Sequence, residues 1–134
     1  EYALLFFANL QGTQVISVDL SANLISGSRA GELAAYLHGT QVASVNLEGN
    51  LLKDFGARDF VANLRDTQVV TLNLRHNCIT IPGAKALLEF IPQTQLINIR
   101  GIEEPVIAKA LEQNKQKLLF SLYYWAALRF LPLE

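Results

Sequence analysis

Polar and apolar positions alternate in four short stretches of the chain, and each stretch follows a Thr-Gln pair. The pairs begin at positions 13, 40, 67 and 94, so each starts 27 residues after the one before. Alternation with a period of two residues predicts a short β-strand. The sequence therefore predicts a repeat protein with one strand in each 27-residue unit. The apolar strand positions are Val15, Val18 and Leu20; Val42, Val45 and Leu47; Val69, Leu72 and Leu74; and Leu96 and Ile99.

The second half of each unit carries apolar residues at helical spacing. These residues recur at i, i+3, i+4 and i+7, which is typical of the buried face of an amphipathic helix. The same spacing within residues 1–12 predicts the closing helix of a preceding unit. The stripes are Ala3, Phe6, Phe7 and Leu10; Ala30, Leu33, Ala34 and Leu37; Ala57, Phe60, Val61 and Leu64; and Ala84, Leu87, Leu88 and Ile91.

An asparagine stands three residues after the last apolar strand position in three units, at Asn23, Asn50 and Asn77. We expect each of these side chains to satisfy backbone groups of the turn that follows the strand. The Thr-Gln pairs recur in every unit, so they are predicted to build the turn between helix and strand. Both features are interpreted as requirements of the fold and not as binding sites.

The resulting string, L-x-x-L-x-L-x-x-N-x-L, resembles the leucine-rich repeat signature. It is matched in full three times and degenerately a fourth, and the resemblance covers residues 1 to about 120. Gly56-Ala57 and Gly83-Ala84, with Asp54 as a helix cap and Pro82 in a first turn, resemble the ribonuclease-inhibitor-like subclass, although Arg29 departs from it. Repeats of this subclass look similar to those in effectors of intracellular bacterial pathogens.

The resemblance implies an α/β leucine-rich repeat solenoid, a curved right-handed βα stack with the parallel sheet on the concave side and the helices on the convex side. Strands lie about 4.8 Å apart and helices about 8 to 10 Å apart, so such a stack must bend. We expect one domain over residues 1–134. It comprises a partial unit (1–12), three repeats (13–39, 40–66, 67–93), a degenerate repeat (94–116) and a C-terminal capping helix (117–134).

The candidate partner-binding residues lie at the outward positions of the predicted strands, because side chains alternate between the two faces. Columns that vary between units are open to recognition, and they run from acidic Asp19 to basic Arg100. Glu48 and Arg75 are predicted to be neighbours across two strands. The candidate residues are Ser17, Asp19, Ser21, Ser44, Asn46, Glu48, Thr71, Asn73, Arg75, His76, Asn98 and Arg100. A further rim column contains Ala22, Gly49, His76 and Glu103.

Composition excludes several kinds of function. The net charge is −1, which provides no basic surface for nucleic acid. The two histidines are predicted to lie on different elements, and Asp19, Ser44 and His76 would form no enclosed triad, so we expect no enzyme, no metal site and no cofactor.

Cys78 is the only cysteine. It fits a reducing compartment, either the cytoplasm or, after secretion, a host cytosol. The chain contains no methionine and no signal peptide, so we expect a fragment or a processed chain.

The C-terminal segment from Lys117 to Leu131 is rich in large apolar residues, among them Tyr124 and Trp125. It is short for a membrane span and contains Arg129. We expect Pro105 to open a helix, and the segment after it either to close the last repeat or to contact a second domain, a second copy or a partner. Gly101 and Glu104 break the repeat pattern, which is typical of a terminal repeat.

The predicted function is protein binding through the concave sheet face and its adjoining loops, with charge selectivity from Asp19, Glu48, Arg75 and Arg100. The outward face covers only about 200 Å², whereas a stable interface buries about 800 Å² on each partner, so further surfaces or repeats must contribute. Two alternatives remain open. The repeats could dock within a larger protein and regulate it, or they could bind substrate for an enzyme whose catalytic domain lies elsewhere.

Overall fold

A computed structural model describes residues 2–130, with side chains from residue 4 onward. The chain forms four short parallel strands, each followed by a helix. The strands are β1 (Ser17–Asp19), β2 (Ser44–Asn46), β3 (Thr71–Asn73) and β4 (Asn98–Arg100). The helices are α1 (Tyr2–Ala8), α2 (Gly27–Ala35), α3 (Lys53–Ala62), α4 (Ile81–Ala86) and α5 (Pro105–Leu128), and two short 3-10 helices follow α4 (Leu87–Glu89 and Ile91–Gln93).

The sheet follows chain order, β1-β2-β3-β4, and its register repeats without a shift. Ser17 pairs with Ser44, Ser44 with Thr71, and Thr71 with Asn98. Equivalent positions of successive units are therefore neighbours across the sheet. The predicted α/β architecture with a parallel sheet is confirmed.

The core lies between the sheet and the helices. The central residue of every strand points into it and is buried, in the sequence Val18, Val45, Leu72 and Ile99. The predicted helix stripes of α2 and α3 are fully buried, and in the third unit Leu88 alone is only partly covered. In the α1 region Phe7 and Leu10 are buried and Phe6 is 48% exposed; the side chain of Ala3 lies outside the described residues.

The Thr-Gln turns form as predicted. Each threonine hydroxyl donates a hydrogen bond of 2.7–2.8 Å to the carbonyl three residues earlier, at the end of the preceding helix. In three units the same oxygen also accepts the N–H group two residues later, at Val15, Val42 and Leu96. The threonine thus closes the helix and orients the entry to the next strand.

The asparagines after the strands connect one unit to the unit before it. The Asn50 carboxamide oxygen accepts the N–H groups of Asn23 and Ile25, and its nitrogen donates to the carbonyls of Leu20 and Leu47. Asn77 repeats this role one unit later. The structural interpretation of these asparagines is confirmed for Asn50 and Asn77, which are 2% and 1% exposed.

The expected cap at Asp54 needs a correction. Leu52 is the N-cap of α3, and Asp54 lies in its first turn. The Asp54 carboxylate accepts the backbone N–H and the hydroxyl of Thr80 in the next unit, at 2.7 and 2.6 Å. Thr80 is the N-cap of α4, and Pro82 occupies the first turn of α4 as predicted. Asp54 therefore joins two units instead of capping its own helix.

One continuous helix, α5, runs through the boundary expected between residues 116 and 117. It begins at Pro105 as predicted and contains no internal glycine or proline that would end it sooner. Only its first half packs on the fold, through Ile107, Ala110, Leu111 and Asn114. The capping role expected for residues 117–134 therefore belongs to residues 105–114. Leu131, the last residue of the apolar C-terminal segment, lies outside the described residues. Among the described helices, none is long and apolar enough to cross a membrane.

Candidate functional site

The polar sheet face, which we define as the outward positions of the four strands together with Ser21, Glu48, Arg75 and His76 after them, brings the predicted binding residues together. The first residues of the four strands form one column across this face: Ser17, Ser44, Thr71 and Asn98. Their side chains can donate and accept hydrogen bonds. Within residues 4–130 none of the four forms a hydrogen bond, so they are available to a ligand.

The second column has a structural role that the sequence analysis missed. Oδ1 of Asp19 accepts the N–H of Ser21 at 2.9 Å, and Asn46 and Asn73 accept the N–H two residues later in the same way at 3.1 Å. These bonds hold the chain as it leaves each strand. In the fourth unit this column contains Arg100, which has no acceptor oxygen in its side chain.

The Asp19 carboxylate also accepts a hydrogen bond from Nδ2 of Asn46 at 3.1 Å. The backbone N–H and then the hydroxyl of Ser21 stabilise the ionised form most, and Asn46 adds a smaller effect; together they outweigh the opposing effect of desolvation. The pKa of Asp19 is therefore below its ordinary value. Asp19 provides a fixed negative charge at the β1 edge of the polar sheet face.

The predicted adjacency of Glu48 and Arg75 is present in the backbone, where the N–H of Gly49 donates to the Arg75 carbonyl at 2.9 Å. The Glu48 carboxylate, however, faces His76, with 3.8 Å between its Oε1 and Nε2 of His76. Its Oε2 accepts a hydrogen bond of 2.9 Å from Nδ2 of Asn73. His76 adopts a left-handed backbone conformation, with φ of 56°. Ala22 and Gly49, which precede it in the rim column, also have positive φ, so this column turns the chain in each full unit.

Two arginines at the β3–β4 end carry uncompensated positive charge. Arg75 and Arg100 form no ion pair with any residue between 4 and 130. A shallow cavity of about 190 Å³ lies on the same face and is lined by Arg100 but not by Arg75. It is lined by Ser44, Asn46, Thr71, Asn73, Asn98 and Arg100, with backbone from the strands. This end of the sheet suits an acidic group.

Gly101 determines how the chain leaves β4. Its φ is 91°, and a Cβ atom at this position would lie 2.6 Å from the backbone nitrogen of Arg75. Only glycine can therefore make this turn so close to the neighbouring unit. The glycine that breaks the repeat pattern thereby positions Arg100 next to the strand end that carries Arg75.

A second exposed surface is the distal half of α5, which we define as residues 115–128. Every residue in it is exposed. At a rise of about 1.5 Å per residue it extends roughly 21 Å beyond the packed part of the helix. Trp125 is 67% exposed and Tyr123 is 77% exposed. The exposed large apolar side chains of this surface are Leu118, Leu119, Phe120, Leu122, Tyr123, Tyr124, Trp125 and Leu128. Phe130, two residues after the end of α5, is also exposed.

Asn114, which the repeat pattern did not single out, marks where α5 leaves the fold. Its side chain is 5% exposed and donates hydrogen bonds to the carbonyls of Ile91, Thr94 and Leu96. It satisfies carbonyls of the helix-to-strand turn before β4, which is a different turn from those after the strands that Asn50 and Asn77 hold. Because it stands in a helix, its spacing in the sequence carried no signal.

Two of the solved structures that share the fold of this chain are domains of leiomodin and tropomodulin. One is leiomodin-1 actin-binding site 2, with a TM-score of 0.82 and 16% identity over 96% of this chain and 80% of that chain. The other is the tropomodulin C-terminal domain of Caenorhabditis elegans, with a TM-score of 0.57 and 12% identity over 91% of this chain and 96% of that chain. At these identities the likeness establishes the fold alone. No family model matches the sequence, and no curated protein matches it.

The family suggested by the sequence is wrong. The two solved structures named above are a leiomodin and a tropomodulin domain, and not ribonuclease-inhibitor-like leucine-rich repeat proteins or bacterial effectors. The reason is physical. The 27-residue period is the length of one strand–helix unit, and Asn50 and Asn77 satisfy backbone groups where such units stack. Such features report the geometry of the stack and do not distinguish one family from another.

Neither solved structure is of an enzyme, in agreement with the prediction that this chain is not one. Between residues 2 and 130, no three His, Cys, Asp or Glu residues cluster so that they could hold a metal ion. The candidate functional site therefore consists of two surfaces, the polar sheet face and the distal half of α5.

Proposed function

We propose that this chain is a protein-binding module, and the observation that carries the proposal is the exposed distal half of α5. Its aromatic residues, with Phe130, are 55–87% exposed. An aromatic side chain offers about 150–250 Å², so five of them expose roughly 700 Å². Monomeric proteins rarely expose apolar patches larger than a few hundred Å², and a stable interface buries about 800 Å² on each partner. Because 3.6 residues make one turn, Tyr123 and Trp125 lie on different sides of α5, so the exposed area fits such an interface where a partner surrounds the helix.

Charge favours a partner other than a second copy of this chain. Between residues 115 and 130 the charged residues are Lys115, Lys117 and Arg129, all of them basic. Pairing of two α5 helices would bring Lys117 next to Lys117 in a parallel arrangement, or next to Arg129 in an antiparallel one, and both contacts are repulsive. We therefore propose a partner with an apolar groove and an acidic rim.

The polar sheet face is proposed as a second contact area. Its cavity of about 190 Å³ is smaller than the roughly 300–1,000 Å³ of a typical small-molecule pocket. A side chain of a protein partner fits better, and Arg75 and Arg100 favour an acidic one. Asp19 and Glu48 at the other end favour a basic group, so the face would select a partner by its charge pattern as well as by contact.

Actin is the first partner to test, because the leiomodin-1 domain with this fold is an actin-binding site. We expect the chain to sediment with actin filaments or to elute with actin monomers on gel filtration. Charge reversal by Arg75→Glu with Arg100→Glu should weaken binding about tenfold or more, because it places two repulsive charges at one edge of the interface. Binding that is absent from both assays excludes actin.

The wider proposal is tested by a photo-crosslinking residue, benzoylphenylalanine, placed at Tyr123 in cells that express the chain. The matched control carries it at Ile81, a residue of α4 that is also exposed, at 59%. Position 123 should yield discrete protein adducts that position 81 does not, and actin antibodies identify one class of them. Equal and diffuse labelling from both positions would contradict protein binding by α5, and an adduct of the chain with itself would replace the separate partner by a second copy.

A further inference from the structure

We infer that the cavity in the polar sheet face binds a phosphorylated serine or threonine of the protein partner. The inference rests on the proposed function and names the ligand group of one of its two surfaces. The cavity is formed by β2, β3 and β4 and does not touch β1. None of the described residues that line it carries a carboxylate, since Asp19 and Glu48 lie outside it. A negatively charged ligand therefore meets no like charge in the lining.

Hydrogen-bond donors line the cavity without a partner in the fold. Ser44, Thr71 and Asn98 stand side by side on adjacent strands, in an unshifted register. Their side chains bond to no other group between residues 4 and 130, although Ser44 and Thr71 are half-buried. Adjacent strands lie about 4.8 Å apart, so two such side chains can donate to one group placed between them. The cavity thus offers donors from three strands to a single ligand.

The two asparagines of the cavity restrict the kind of ligand further. Oδ1 of Asn46 and Oδ1 of Asn73 each accept a backbone N–H from the residue two positions later. Their Nδ2 atoms donate to the carboxylates of Asp19 and Glu48, outside the cavity. Because these bonds engage both carboxamide oxygens, the lining has more free donors than free acceptors. A ligand rich in acceptor oxygens therefore fits best.

Arg100 provides the charge that selects an anion. It pairs with Asn73 across β3 and β4 and lines the cavity, and its guanidinium forms no ion pair with any residue between 4 and 130. The equivalent positions in the other units are Asp19, Asn46 and Asn73, so only the fourth unit places a cation in this column. A guanidinium group binds a phosphate through two parallel N–H bonds.

The number and directions of these donors favour a phosphate over a carboxylate. A carboxylate presents two oxygens in one plane, whereas a phosphate monoester presents three and carries about −1.5 to −2 charges at pH 7. The tetrahedral group can face Arg100 and the hydroxyls of two strands at once. The cavity is shallow, with about 190 Å³, so it suits the short stem of phosphoserine or phosphothreonine better than the ring of phosphotyrosine. A net charge of −1 favours a protein source over the headgroup of an anionic membrane.

A labelled peptide pool with one phosphoserine between three random residues on each side tests the inference on the full chain. Fluorescence anisotropy should show saturable binding about tenfold or more tighter than that of the same pool with serine or glutamate at the fixed position. In NMR titrations with N-acetylphosphoserine amide, the backbone amide signals of Thr71, Asn98 and Arg100 should shift. The signals of α2 should stay unchanged.

Two matched pairs of variants make the test specific to the cavity. Arg100→Gln should weaken binding of the phosphoserine pool about tenfold or more, because it removes the bidentate donor. Arg65→Gln removes the same charge from a side chain that is 70% exposed and lies outside the cavity, and it should change binding less than about twofold. Thr71→Val should weaken binding about tenfold, whereas Thr71→Ser keeps the hydroxyl and should preserve it. Circular dichroism verifies that each variant folds.

Several results would overturn the inference. Equal binding of the phosphoserine and glutamate pools is one, and equal effects of Arg100→Gln and Arg65→Gln are another. Inorganic phosphate that binds as tightly as the pool would make this a site for the free ion. Binding to vesicles that contain phosphatidylinositol phosphate, without binding to the pool, would assign the cavity to a lipid headgroup. None of these results alters the crosslinking expected from Tyr123, so failure of the phosphate site is distinguishable from failure of the proposed protein binding.

Discussion

The replacement of Asn50 by alanine provides the sharpest test of how the units hold one another. The side chain is 2% exposed and bonds to five backbone groups, three of them in the turn after β1. Removal leaves the Ile25 N–H and the Leu20 carbonyl buried without this partner. The Leu47 carbonyl keeps a hydrogen bond of 2.8 Å from Asn77 and so loses less.

The size of the effect follows from those two groups. An unsatisfied buried donor or acceptor costs about 1–3 kcal/mol, so Asn50→Ala should lower the free energy of unfolding by about 3–4 kcal/mol. Domains of this size have a stability of about 5–15 kcal/mol, so the variant should fold but be markedly less stable. Asn23→Ala is the control because it removes one exposed hydrogen bond, and it should cost less than about 1 kcal/mol.

Urea unfolding monitored by far-ultraviolet circular dichroism measures both variants against the wild-type chain. The midpoint should fall for Asn50→Ala while the slope of the transition stays the same, since the surface exposed on unfolding is unchanged. Stabilities of the two variants within about 1 kcal/mol of each other would refute the role assigned to the buried asparagines.

Three further predictions follow from particular contacts. Gly56→Ala should destabilise the chain by about 3 kcal/mol or more in urea unfolding, because its Cβ would lie 2.5 Å from the Cα of Gly27. The pKa of Asp54 is lowered mainly by the Thr80 hydroxyl and next by the Thr80 N–H. This contribution to stability is present above the ordinary pKa of 3.8 and is lost as pH falls through the lowered value, so Asp54→Asn should flatten the stability profile between about pH 5 and pH 2. Truncation after Gln116 should change the free energy of unfolding by less than about 1 kcal/mol, because the distal half of α5 buries none of its side chains.

The stacked architecture was predictable because its causes are local and repeated. Strand alternation, the helix stripes and the Thr-Gln turns each recur every 27 residues, and the structure places them as expected. Repetition also indicated that Asn50 and Asn77 belong to the fold. The family was not predictable, because these same residues serve a backbone geometry that unrelated sequences share.

The candidate site was predictable only in part. Alternation located the outward residues, but it could not show that Asp19, Asn46 and Asn73 use their Oδ1 atoms on their own turns. Nor could it show that the Glu48 carboxylate faces His76, whose backbone is left-handed. The extent of α5 beyond the fold was missed because an apolar helix gives the same pattern whether it is buried in its own chain or in a contact with another.

The exposure of Trp125 tests the central claim most directly, and it can be measured because this is the only tryptophan in the chain. Acrylamide quenching of its fluorescence should be nearly as efficient in the monomeric chain as in free tryptophan, with the monomer verified by sedimentation velocity. Quenching should fall when a partner such as actin binds. A tryptophan that is shielded in the isolated monomer would mean that α5 packs on its own chain, and the proposal of a protein-binding surface there would be wrong.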